Sequence, residues 1–79
     1  MTCQEVSGGY KYTILDGDHV VDTRKSYRTY VAASVPMNPK TNKYLRPLYH
    51  GRLDLIGKGE AAKYARDGYQ VLVARIQNQ

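Results

Sequence analysis

The stretch Tyr10-Lys11-Tyr12-Thr13-Ile14-Leu15-Asp16-Gly17-Asp18-His19-Val20-Val21-Asp22 decides how this chain folds. Its first half places Tyr10, Tyr12 and Ile14 on one side and Lys11 and Thr13 on the other, the two-residue period of a half-buried strand. Asp16-Gly17 between two strand-like runs signals a hairpin, because a type I′ turn needs positive φ at both central residues and this dipeptide supplies it at low cost. His19 to Asp22 is then expected to return as a second, antiparallel strand. Residues 1–8, which end in Ser7-Gly8 and contain the single cysteine, Cys3, read as a flexible tail carrying an exposed thiol.

Downstream, Ser26-Tyr27-Arg28-Thr29-Tyr30-Val31-Ala32-Ala33-Ser34-Val35 is dense in β-branched and aromatic residues and is stopped by Pro36, so it reads as a third strand. Residues 36–47 hold three prolines and two asparagines with no apolar period and read as a long basic loop. A helix is expected from near Asp54, or only from Gly59 because Gly57 and Gly59 weaken the first turns, and it ends at Gly68 in left-handed geometry. Tyr69 to Ile76 is a nearly continuous apolar run and reads as a central strand.

The expected fold class is therefore α+β. A small single domain over residues 1–79 has a mostly antiparallel sheet of about four strands, in the order β-β-β-loop-α-β, with one helix packed on one face. Tyr10, Tyr12 and Ile14 are expected to meet Tyr27, Thr29, Val31, Ala33 and Val35 beneath that helix. The other face, with Lys11, Thr13, Arg28, Tyr30, Ala32 and Ser34, is left for a partner or a second copy of the chain, which makes a homodimer an expectation.

A chain of 79 residues buries roughly 60% of its unfolded surface, which leaves stability marginal and little room for an enclosed active site. One cysteine allows neither an internal disulfide nor a multi-cysteine zinc site. With no apolar run of signal-peptide or bilayer-spanning length, a cytoplasmic protein without membrane contact is expected. The aromatic set is unusual: eight Tyr, no Phe and no Trp. A Tyr ring buries its body while the hydroxyl seeks a partner, which suits both half-buried sheet faces and contact surfaces.

Charge is unevenly distributed. Residues 1–22 carry a net −3 and residues 54–79 a net +1, whereas residues 23–53 hold Arg24, Lys25, Arg28, Lys40, Lys43, Arg46 and Arg52 with no acid, a net of +7. Such a block attracts polyanions by releasing their condensed counterions. Tyr27, Tyr30, Tyr44 and Tyr49 are interleaved with it, and aromatics between cations are the residues on which single-stranded nucleic acid stacks its bases. The competing reading is a solvated face neutralised in space by Asp16, Asp18 and Asp22.

Chemistry-bearing patterns are sparse. His19 beside Asp18 reads as a solvated turn residue, and His50 before Gly51 as exposed or at a helix start. Neither has a second His or a Cys at metal-ligand spacing, and no metal or cofactor is expected. Gly57-Lys58-Gly59-Glu60 lacks both the lead and the following hydroxyl residue of a phosphate loop. No nucleophile elbow is present, so no enzyme is expected.

Two functions remain. The first is a binding module that contacts nucleic acid or a nucleoprotein, with Arg24, Lys25, Arg28, Lys40, Lys43, Arg46 and Arg52 on phosphates and Tyr27, Tyr30 or Tyr44 stacking. The second is a protein–protein interaction module, an adaptor or inhibitor of the kind encoded by phages and other mobile elements, anchored by Tyr and Arg.

Overall fold

A computed structural model describes residues 1–76. The order of elements is β1 (Thr2–Val6), β2 (Gly9–Asp16), β3 (His19–Ser26), β4 (Ala32–Asn38), β5 (Lys43–Tyr44), β6 (Leu48–His50), a 3-10 turn (Leu53–Leu55), α1 (Glu60–Arg66) and β7 (Gln70–Arg75). The class is α+β with antiparallel pairing throughout, but the strands form two sheets rather than one.

The first sheet is the meander β1-β2-β3. Thr2–Val6, expected as a tail, is its first strand and pairs with β2 from Thr2↔Thr13 to Val6↔Gly9. The hairpin expected at Asp16-Gly17 is present, one residue displaced: Asp16 pairs with His19, and the central residues are Gly17 at φ 61 and Asp18, whose φ is not positive. A glycine in the first central position alone is the pattern of a type II′ turn, which serves the right-handed strand twist as type I′ does.

The second sheet is built on β4. Strand β7, expected as a central strand, pairs with β4 alone among the described residues, from Ala32↔Arg75 to Met37↔Gln70, and so is an edge strand whose apolar side chains pack on the sheet's two neighbours, the other sheet and α1. On the other edge of β4, β6 pairs with Ala32–Ser34, and β5 takes over at Met37 and Asn38. Pro36, expected to stop a strand, lies inside β4. The Pro36 carbonyl accepts the Leu45 amide at 2.8 Å, so the missing Pro36 N–H falls on that same edge, in the gap between β6 and β5 where no strand needs it. Residues 36–47 thus contain a hairpin. Lys40 N donates to Asn38 Oδ1 at 2.9 Å, and Asn42, at φ 55, donates its amide to the Asn38 carbonyl at 2.8 Å.

The run Ser26–Val35, expected as one strand, is two. It breaks at residues 27–31, which cross from the first sheet to the second. Tyr12 causes the break: its hydroxyl donates to the Arg28 carbonyl and accepts from the Tyr30 amide, both at 2.9 Å, and so occupies backbone groups that a ladder would use.

Tyr12 and Ile14 pack with Ala33, Val35 and Ala74 between the two sheets. Of the side chains expected to meet, Tyr10, Tyr12, Ile14, Ala33 and Val35 do so, between the two sheets and not beneath the helix, whereas Tyr27 and Thr29 are exposed and Val31 lies outside the cluster, because residues 27–31 form the crossover. On the opposite face of β4, Ala32, Ser34 and Pro36 are also buried, and α1 covers that face through Ala61. The layers are therefore sheet, sheet, helix, and β4 is buried on both sides. The helix starts at Glu60, after Gly59, and the 3-10 turn before it is separate. It ends as expected at Gly68, φ 90: the Gly68 amide donates to Ala65 O, the Tyr69 amide to Tyr64 O, and the Tyr64 and Tyr69 rings pack at 5.2 Å.

His50, beside Ser34, corrects another expectation. It is not exposed but on β6, 6% exposed, with Nε2 2.8 Å from the Oγ of fully buried Ser34. Burial pushes the His50 pKa below its usual value. Since the unfolded chain then binds the proton more readily than the folded one, this contribution to stability is complete above about pH 6.5 and is lost as pH falls towards the depressed folded value. Urea midpoints are expected to drop between about pH 7 and about pH 5.5, and His50→Gln to flatten that slope; an equally steep slope in the variant would assign the effect to other groups.

Candidate functional site

Which surface each cation of β3 faces is set by one irregularity in the first hairpin. Between Ile14↔Asp22 and Leu15↔Val20 the register slips by one residue, leaving Val21 unpartnered. Residues directly opposite share a face, so a slip exchanges the two faces of β3. Beyond the slip Tyr12 pairs with Arg24, which therefore points towards the second sheet, and Lys11 pairs with Lys25, which points away. Neighbouring cations of one strand thus serve two different surfaces.

The first surface is a groove of about 530 Å³ between β3 and residues 44–49. Arg24, Tyr44 and Arg46 line it, together with Asp22 and Tyr49. The Arg24 guanidinium lies over the Tyr49 ring, 5.1 Å from its centroid. The acids of the hairpin do fold back here, but onto phenols. Tyr44 donates to Asp16 Oδ2 at 2.7 Å, and Tyr49 makes a longer contact of 3.4 Å to Asp22 Oδ2. The hydrogen bond to Asp16 is the main cause of a raised Tyr44 pKa. Tyr49 is pushed up to about 12, by burial first and by the Asp22 charge second, while Arg24 pulls the other way. Both tyrosines stay protonated donors across any physiological pH.

The second surface is a notch of about 340 Å³ between the β1–β2 turn and the start of the crossover, lined by Lys25 and Tyr27 among others. Arg28 follows Tyr27 in the crossover and is exposed. Of the remaining candidates, Tyr30 is not available for stacking: its ring packs at 5.4 Å on Tyr12 and 5.1 Å on Tyr49, inside an aromatic cluster. Lys40 sits in the β4–β5 turn and Lys43 on β5 beside Tyr44. Arg52 stands apart, held by both oxygens of Asp54 at 3.0 and 2.7 Å. This is the one ion pair among the described residues, so the other six cations of the block have no carboxylate partner there.

Lys11, expected on the face left for a partner, becomes the neighbour of Lys25 only through the register slip. Residue reading alone missed two further contributors. Gly9 lets the β1–β2 turn approach Ser26, whose carbonyl oxygen would lie 2.6 Å from any Cβ added there. Tyr12 looked like an ordinary core aromatic, and nothing local announces its hydroxyl as the anchor of residues 28–30. Among the described residues no group of three or more His, Cys, Asp or Glu is placed to hold a metal ion, and no helix is long and apolar enough to cross a membrane. Comparison with protein-family models, with curated proteins and with solved structures gives no match in any of the three.

Proposed function

We propose that the protein is a small non-enzymatic binding module that contacts nucleic acid, alone or within a nucleoprotein, through β3 and the segments on either side of it. One observation carries this reading: an acid-free block of seven cations keeps six of them without an ion pair among the described residues. Unpaired cations clustered on one strand and its neighbours raise the local concentration of a polyanion and release its counterions on contact. Arg24 and Arg46 in the groove, Lys40 and Lys43 on the hairpin beside it, Lys25 at the notch and Arg28 in the crossover supply phosphate contacts. Such contact is led by the backbone of the nucleic acid, without sequence reading in a groove.

The test is a titration of labelled oligonucleotides at about 50 and about 200 mM salt, with affinity expected to fall linearly on a double-logarithmic scale. Arg46→Gln and Lys43→Gln are each expected to lower the slope by about 1, whereas Arg52→Gln, whose charge already meets Asp54, leaves it unchanged. Micromolar binding indifferent to salt, or no binding, overturns the reading.

A second reading, a protein partner, is supported by the outer edge of β3, which pairs with no strand among the described residues over the length His19–Ser26. A free edge of that length is a site for strand addition. Affinity purification from nuclease-treated lysate separates the two, since a protein partner survives the nuclease and a nucleic-acid tether does not.

A further inference from the structure

Seven of the eight tyrosines are built into the fold, either fully or partly buried, in ring pairs or in hydrogen bonds to Asp16 and Asp22. Tyr27 is the exception, at 87% exposed. Folding gains almost nothing from such a ring, and yet the backbone that carries it is held from both sides. The Ser26 hydroxyl accepts the Arg28 amide at 3.1 Å, a serine turn that places Tyr27 at its tip. From within, the hydroxyl of fully buried Tyr12 fixes Arg28 and Tyr30. A ring presented on a fixed backbone binds without the cost of ordering a loop.

The surroundings have a matching chemistry. Gly8 stands close to the Tyr27 ring, where an added Cβ would lie 3.9 Å from Cε1, and the ring is otherwise accessible, at 87% exposed. No acidic residue lines the notch beside it. Lys25 and Arg28 flank the ring in sequence, and Lys11 sits directly across from Lys25. Like charges directly opposite destabilise a sheet, and an anion between them removes that repulsion.

We propose that Tyr27 is a stacking platform for one unpaired base of single-stranded nucleic acid, with Lys25, Lys11 and Arg28 on the adjoining phosphates. This deepens the nucleic-acid reading above and rests on it. An intact duplex keeps its base faces within the stack, so the platform favours single strands, whereas the groove cations do not distinguish the two.

Fluorescence anisotropy with a labelled oligothymidylate and with a duplex of equal length, on the full chain, tests it. Tyr27→Ala is expected to weaken single-strand binding by roughly 5- to 100-fold, the range of base–aromatic stacking, with the duplex affinity changed by less than about twofold. Tyr27→Phe keeps the ring and is expected to retain binding. The site is exposed, and a thermal melt of each variant confirms that it stays folded. If wild-type protein binds oligonucleotides but Tyr27→Ala leaves single-strand affinity unchanged, or weakens both forms equally, the platform is overturned and the broader reading stands. If wild-type protein binds neither form, both fall together.

Discussion

Tyr12→Ala is expected to lower the unfolding free energy by about 3–5 kcal/mol, the usual loss for a large aromatic removed from a core. Domains of this size have about 4–12 kcal/mol in total, so one substitution removes about a quarter or more of it. Tyr12 is fully buried, packs on Tyr10, Tyr30 and Tyr49, and sits between the sheets with Ile14, Ala33 and Val35. The more informative variant is Tyr12→Phe, which keeps the ring and deletes only the hydroxyl. It strands the Arg28 carbonyl and the Tyr30 amide, and a part-buried polar group without a partner costs ~1–3 kcal/mol. A melting temperature lower by roughly 5–20 °C is expected in a domain of this length. Because the same hydroxyl fixes the crossover, Tyr12→Phe is also expected to reduce the preference for single strands in the protein that remains folded. A Phe variant as stable as its parent would mean that the crossover holds its shape without the hydroxyl.

Gly9→Ala carries the second large effect. The added Cβ would meet Ser26 O at 2.6 Å, Ser26 C at 3.2 Å and Tyr27 Cα at 3.4 Å, all backbone atoms with no flexible end to swing aside. Gly9 also lies at φ 156, a region that residues with side chains avoid. Strain and overpacking together make a loss of about 2–4 kcal/mol the expected result, with β1–β2 prised away from the end of β3. Gly17→Ala is the control. It shares a positive φ, 61, but an added Cβ meets nothing within 4 Å, so a loss of only ~1 kcal/mol is expected. Chemical denaturation of both variants decides: equal losses would make backbone conformation, not the close approach to Ser26, the cause.

The two variants act at the same place from opposite sides. Gly9 packs against Ser26 and Tyr27 from the first hairpin, and Tyr12 holds Arg28 and Tyr30 from the core. The tip at Tyr27 is thus tied to the most buried part of the molecule. That connection explains how a stretch with the composition of a strand is held as an ordered crossover, and why its exposed ring keeps a fixed position.

Much of this architecture follows from local residue chemistry. The alternation from Tyr10 to Leu15, the glycine of the first turn, the apolar run after Gly68 and the glycine stop of the helix are all decided by neighbours within a few residues. They are legible because periodicity and turn chemistry are local properties. Thr2–Val6 was not legible, since Thr-Cys-Gln-Glu-Val has little apolar pattern and becomes a strand by pairing with β2. The division of Ser26–Val35 was not legible either. It depends on a hydroxyl 16 and 18 residues away in the chain.

The unequal charge of residues 23–53 was determined by the sequence alone, since composition is not altered by folding. Its meaning was not. Asp54 neutralises Arg52, Asp16 and Asp22 turn to phenols and not to cations, and a single unpaired residue at Val21 sends Arg24 to one surface and Lys25 to the other. A strand has only two faces, so a slip of one residue reassigns every side chain beyond it. That choice is made by how β2 and β3 pack against the second sheet, which no local pattern in the chain encodes.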